Sequence, residues 1–111
     1  MKKDQTVYLR HIIESIEQIE NYTHDLIESE FMDLKEAQDA VLRRLEIIGE
    51  AVKNISSEFK DRYPNIPWRQ MAGMRNALIH EYFEVDLSLV WRTVKDDLPK
   101  LKEQIKGLIS Q

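Results

Sequence analysis

The sequence predicts an all-α fold, a four- to five-helix up-and-down bundle in a single domain spanning 1–111. Three observations predict it. Apolar residues recur at threes and fours through every long stretch, the spacing of one helix face. No stretch of any length alternates apolar and polar residues as a half-buried strand would. Glycine and proline number three each, so few points in the chain interrupt a helix.

The first stretch carries Leu9, Ile12, Ile16, Ile19, Thr23 and Leu26 on one stripe, widened by Ile13 and Ile27. This spacing predicts a long helix from about Asp4 to Ser29. His11 and His24 sit beside the stripe and read as surface or packing residues. Neither has partners at metal-ligand spacing, so no metal site is expected. Asp33-Leu34-Lys35-Glu36 then reads as an N-cap followed three residues later by glutamate, the opening of a second helix. Leu34, Ala37, Val41, Leu45, Ile48, Val52, Ile55 and Phe59 form its seam, suited to antiparallel packing on the first helix. The Phe31-Met32 junction is short enough for a hairpin of helices.

Gly49 lies inside the second helix, where glycine costs about 1 kcal/mol relative to alanine. That cost predicts close approach of another backbone or side chain. Pro64, Asn65 and Pro67 mark the clearest break, between Asp61 and Pro67. A third helix is expected from Pro67 to His80 or Tyr82, with Pro67 in its first turn, Trp68 anchoring its start and Gly73 as a second close-contact point. Asp86 is placed to cap the last helix. Leu87, Val90, Val94, Leu98, Leu101, Ile105 and Leu108 hold its period, and Pro99 should kink or split it near Asp97.

Composition narrows the function classes. The chain has 111 residues, no cysteine and a net charge of −4, from 20 acidic and 16 basic residues. Disulfides and thiolate metal sites are excluded. An acidic balance argues against a general nucleic-acid coat but allows a local basic cleft, for which Arg43, Arg44, Lys60, Arg62, Arg69 and Arg75 are available. No apolar run approaches the roughly 20 residues of a membrane span. Met1-Lys2-Lys3-Asp4-Gln5 leads into polar residues, so a soluble cytoplasmic protein is expected. Two long apolar seams and two tryptophans exceed what a small monomer comfortably buries, which predicts a homodimer.

The chemistry is concentrated in Met71-Ala-Gly-Met-Arg-Asn-Ala-Leu-Ile-His-Glu-Tyr-Phe83. With Arg75 at zero on a helical wheel, Asn76 falls near ~100°, His80 near ~140° and Tyr82 near ~−20°. Asn76 and His80 are four apart, so the amide can orient the imidazole. Met71, Met74 and Leu78 lie on the other side and face a core. Glu46 and Glu50, four apart in the preceding helix, are either a solvated carboxylate pair or a second layer in which one of them contacts and orients Arg75.

Arg75-Asn76-x-x-x-His80-x-Tyr82 resembles the R-x-x-x-x-H-x-Y signature of the HEPN superfamily. Ile66-Pro67-Trp68-Arg69, Gly73-Met74-Arg75-Asn76, Val85-Asp86-Leu87, Val90-Trp91 and Leu45-Glu46-Ile47-Ile48-Gly49-Glu50-Ala51 resemble its HepT toxin branch, and the likeness covers almost the whole chain. The resemblance implies a HEPN-like bundle and a metal-independent ribonuclease toxin with no cofactor. Its partner would be an MntA-like minimal nucleotidyltransferase antitoxin that attaches AMP to Tyr82.

The residues fit such chemistry. His80 titrates near neutral pH and can carry a proton to or from ribose and leaving oxygen. Arg75 offers a fork of donors matched to phosphate oxygens. Asn76 and Tyr82 can support imidazole and substrate. One chain supplies one histidine here, so a dimer groove holding two motifs suits acid–base cleavage of RNA. An alternative is a non-catalytic helical partner of a nucleotidyltransferase, presenting nucleotide or substrate through the same Arg and His.

Overall fold

The computed structural model describes residues 4–80 and 86–110, and the side chains of all of these except 76–80. Helix α1 spans Thr6–Thr23, α2 Glu28–Asp33, α3 Lys35–Asn54, α4 Ser57–Arg62 and α5 Trp68–His80. The last rod runs without a break through α6 Leu87–Arg92, a π-helical turn Thr93–Asp97 and α7 Leu98–Ile109. Among the described residues there is no strand. Four long rods with two short helices between them give the expected all-α bundle. No described helix is long and apolar enough to cross a membrane.

The first helix is shorter than its apolar period. Asp4 opens it: its carboxylate accepts from the Thr6 N–H at 2.9 Å and the Thr6 hydroxyl at 2.7 Å. Those bonds hold the Asp4 carboxyl below its ordinary pKa. At the other end the helix stops at Thr23 instead of running to Ser29. The Thr23 carbonyl accepts from Leu26 N–H at 3.0 Å and from Lys95 Nζ at 3.3 Å. Glu30 then takes the Ile27 N–H at 3.0 Å and opens α2.

Helix α2 replaces the expected hairpin junction. Phe31 is fully buried and packs its ring 5.2 Å from that of Trp91. Asp33 is the last residue of α2, and the extended Leu34 precedes α3 with no side-chain cap. The cap expected of Asp33 is absent because Asp33 is itself the last helical residue of α2, which leaves Leu34 in the N-cap position of α3; the α2 carbonyls are met by a side chain of α3. The Gln38 amide donates to Phe31 O at 2.9 Å and Met32 O at 3.0 Å.

The α3 seam also divides. The helix ends at Asn54, and Ser56 opens α4 by accepting from Phe59 N–H at 3.1 Å. Ile55 stays buried across the break, so the apolar phase outlasts the helix. The Ser56 N–H donates to Gln5 Oε1 at 2.8 Å, which sets the start of α1 beside the end of α3. The two helices are thus antiparallel. Lys102 reaches Glu20 at 2.7 Å and Glu17 at 3.7 Å, while Lys95 reaches Thr23, so the last rod also runs back along α1.

One core joins the rods. Leu9, Ile12, Ile16 and Ile19 of α1 meet Val41, Ile48 and Val52 of α3, all fully buried, with Met71 of α5 and Ile105 of α7. Trp68 is buried, and its Nε1–H donates to Tyr63 O at 3.0 Å. Phe59 packs against Tyr63 and Trp68, closing the loop around Ile66. Pro67 stands just before α5, and its carbonyl accepts Met71 N–H at 3.0 Å. Trp91 is buried too. Both tryptophans therefore find cover within one chain, which removes them as an argument for a second copy.

Asp86 caps α6 through Leu89 N–H at 3.2 Å. Pro99 changes the form of the last rod without breaking it. It lies in the first turn of α7, and the turn before it is widened so that Leu98 N–H reaches Thr93 O, five residues back. The wider turn relieves the clash and the missing donor while Val94, Leu98 and Leu101 stay buried.

Candidate active site

The site begins with a missing side chain. A Cβ built on Gly49 would stand 2.5 Å from Arg75 Cβ, 2.7 Å from Arg75 N and 3.1 Å from Arg75 Cα. Helix α5 therefore crosses α3 with the Arg75 backbone seated on Gly49. Any side chain there would have to displace backbone, which cannot yield as a flexible tip can. This is the close approach that the mid-helix glycine predicts, and its partner is the arginine of the signature.

The next residue of α3 completes the contact. The Glu50 carboxylate forms an ion pair with Arg75 Nε. That nitrogen is wholly enclosed and makes no hydrogen bond among the described residues, so the contact with Glu50 is one of charge and not a directed hydrogen bond. The arginine side chain as a whole retains 29% exposure and the glutamate 48%. Among the described residues Glu50 is the only counter-charge on Arg75. One edge of the guanidinium is thus turned to α3. Glu46 does not share in this: its partner is Arg43, three residues earlier on the same helix. Of the two carboxylates in α3, Glu50 is the one that meets Arg75.

The remaining signature residues divide by position. The backbone of Asn76 and His80 continues α5. The side chains of Asn76 and His80, and Leu78 with them, lie outside the described residues, as does Tyr82 entirely. Met71 is fully buried and Met74 half-buried, so the packing side of α5 faces the core.

The second glycine of α5 behaves differently from Gly49. Among the described residues nothing lies within 4 Å of a Cβ built on Gly73. Among the described residues the expected close contact is absent, and Gly73 opens onto a groove of about 300 Å³ lined also by Leu45, Met74, Leu89, Val90 and Thr93, with Gln70 and Asp97 as polar lining. Sequence reasoning missed this hollow, which no single helix period can reveal because three elements contribute to it.

Of the candidate basic residues, Arg43, Arg44 and Arg62 are engaged apart from Arg75. Arg43 is engaged by Glu46, and Arg62 lies near Glu58 and over the Phe59 ring. Arg44 lines a separate hollow with His11 and Glu14 of α1. Among the described residues, no group of three or more His, Asp or Glu side chains could hold a metal ion. What the arrangement offers is a single guanidinium, fixed at one edge, at the head of a helical turn that leads to a histidine.

An all-α bundle that fixes an arginine ahead of Asn76 and His80 is the architecture of a small HEPN-type domain. Comparison with known proteins then gives the family. The model described as "Ribonuclease HepT-like" matches residues 12–108, and the chain belongs to this family of ribonucleases. A Methanocaldococcus jannaschii protein named "Gamma-glutamylcyclotransferase and putative RNase MJ0434" is 54% identical over the whole chain, which spans 50% of that longer relative. "Probable ribonuclease HepT" of Thermococcus cleftensis is 50% identical over 97% of the chain and 98% of its own length. "Putative RNase MJ1380" of M. jannaschii is 43% identical over 95% of the chain and 96% of its own length. No solved structure matches the chain.

Proposed function

We propose that this ribonuclease is a metal-independent endoribonuclease toxin in which Arg75 and His80 perform the cleavage. The observation that carries the reading is the seated Arg75. A guanidinium held at its Nε edge can present its terminal amino groups to a scissile phosphate and stabilise the charge that develops there. His80, at neutral pH, takes the proton from the ribose 2′-oxygen or delivers one to the leaving 5′-oxygen. Asn76 orients the imidazole from one turn earlier, and Tyr82 supports the substrate.

Acid and base are both needed in one cleavage, and each chain brings one histidine to the motif. A cytoplasmic homodimer with two motifs facing one RNA groove supplies the pair. Neutralisation by an MntA-like nucleotidyltransferase antitoxin follows the same chemistry. AMP on the Tyr82 phenol adds negative charge and bulk beside Arg75 and repels RNA. Tyr82→Phe then escapes the antitoxin, and continued control of that variant without an adduct by mass spectrometry would refute the modification.

The deciding experiment is cleavage of total cellular RNA by purified protein in EDTA, beside His80→Ala. The parent is expected to cut. The variant should be slower by about 100-fold or more, the usual contribution of a positioned acid or base. Equal cutting by both removes His80 from the mechanism. No cutting by folded, unmodified parent favours the binding-module reading instead.

A further inference from the structure

We infer that Gly49 and Glu50 together form a seat for Arg75, and that Glu50 is a positioning residue acting through the arginine's Nε. The inference rests on the reading of Arg75 as the phosphate-binding group and adds the part of the chain that aims it. Two independent observations meet at this point. Gly49 lets the Arg75 backbone approach α3 until a Cβ would stand 2.5 Å from Arg75 Cβ. Glu50, the adjacent residue, then pairs with the enclosed Nε of the same arginine.

Neither contact alone fixes a guanidinium. Seating the backbone sets where the side chain starts but leaves its several torsions free. A carboxylate alone can grip any edge of the fork. Together they set the root and draw the Nε edge toward α3 by charge, which biases the direction in which the planar group extends. Among the described residues, no acceptor engages the two terminal amino groups. In the proposed reading these two groups meet the phosphate. A lysine in place of Arg75 could meet the carboxylate or a phosphate with its single ammonium, but not both in this geometry.

Adjacency on α3 also explains why glycine sits inside a helix that otherwise uses good helix formers. The local cost of Gly49, about the difference between glycine and alanine, is offset by a contact that no other residue permits.

The test is a double-mutant cycle on RNA cleavage, with the melting temperature and the Arg75 Nε–H resonance in nitrogen-15-labelled protein measured alongside. Glu50→Ala should leave the half-exposed surface folded, melt close to the parent, and lower kcat/KM by about tenfold, mainly in kcat. In an Arg75→Ala background the same change should add nothing, because Glu50 acts only through the arginine. Glu50→Gln, which keeps an acceptor without the charge, should fall between parent and Glu50→Ala. Gly49→Ala should shift the same resonance and lower cleavage.

A full additional loss in the Arg75→Ala background, or no loss in Glu50→Ala, overturns the proposal. The resonance separates this outcome from failure of the ribonuclease reading. If the parent cuts no RNA, a shifted Nε–H signal in Glu50→Ala still supports the seat, and an unmoved one removes it.

Discussion

Helix α3 makes two contacts of different kinds. With α1 it closes the core: Leu9, Ile12, Ile16 and Ile19 lie with Val41, Ile48 and Val52, all fully buried. With α5 it makes the Gly49–Arg75 crossing, where one absent Cβ and one carboxylate define the fit. The first contact is driven by apolar area and tolerates exchange among residues of similar volume. The second is specified atom by atom and spends helix propensity to achieve it. The core decides whether the chain folds; the crossing decides where its arginine points.

The sharpest way to break this contrast is to damage the core alone. Ile16→Ala removes a fully buried side chain and should cost about 2–5 kcal/mol of stability, read from urea unfolding. Cleavage per folded molecule should be preserved. A loss of cleavage larger than the unfolded fraction explains would mean that the two regions are coupled.

The two helical glycines give the next test. Gly49→Ala gains helix propensity but forces backbone apart at the crossing, so a net loss of about 1–3 kcal/mol is expected, the usual range for overpacking. Gly73→Ala meets open groove. It should gain up to about 1 kcal/mol, the helix-propensity difference. Equal melting shifts of the same sign in the two variants would show that the crossing is looser than its geometry states.

The same contrast explains what the sequence made legible. Core positions repeat, and repetition is readable: the α1 stripe from Leu9 to Thr23, the α3 seam from Val41 to Val52 and the last rod are placed correctly, with Asp86 as a cap and Pro99 next to the altered turn, whereas Ile27 and Leu34, assigned to stripe and seam, are exposed. Errors fall where a local bond interrupts a continuing apolar phase. Leu26 keeps the stripe of α1, yet Thr23 is its last residue, because Glu30 and Lys95 take up groups at that turn. Helix α2 is six residues long, too short to display a period, so Phe31 reads as junction although it is fully buried. At the site, Gly49 and Gly73 are alike in sequence, and only the fold distinguishes a seat from an open wall. Glu46 and Glu50 are equally ambiguous until the path of α5 gives one of them an arginine.

A second interhelical ion pair supplies the smallest and most specific test of the comparison. Lys102 of α7 bonds to Glu20 of α1 at 2.7 Å, with Glu17 at 3.7 Å, and the lysine side chain is only 20% exposed. The bond to Glu20, and then the charges of Glu20 and Glu17, raise the Lys102 pKa against the opposing effect of desolvation. A lysine whose folded pKa lies above its unfolded value contributes its full stabilisation below the unfolded value, about 10.4. That contribution is lost as pH rises through the higher folded value. Lys102→Met keeps the apolar stem and removes the charge. Its stability deficit should be about 0.2–1 kcal/mol near neutral pH, the range for partly exposed pairs. The deficit should stay level up to about pH 10 and shrink above it as the parent loses the proton. RNA cleavage should not change, because this pair ties together two scaffold helices. The Glu50–Arg75 pair has the same chemistry and the opposite expected signature, with cleavage reduced and melting little altered. A Lys102→Met protein that cleaves RNA poorly would place the α1–α7 contact inside the working site and dissolve the distinction between scaffold and seat.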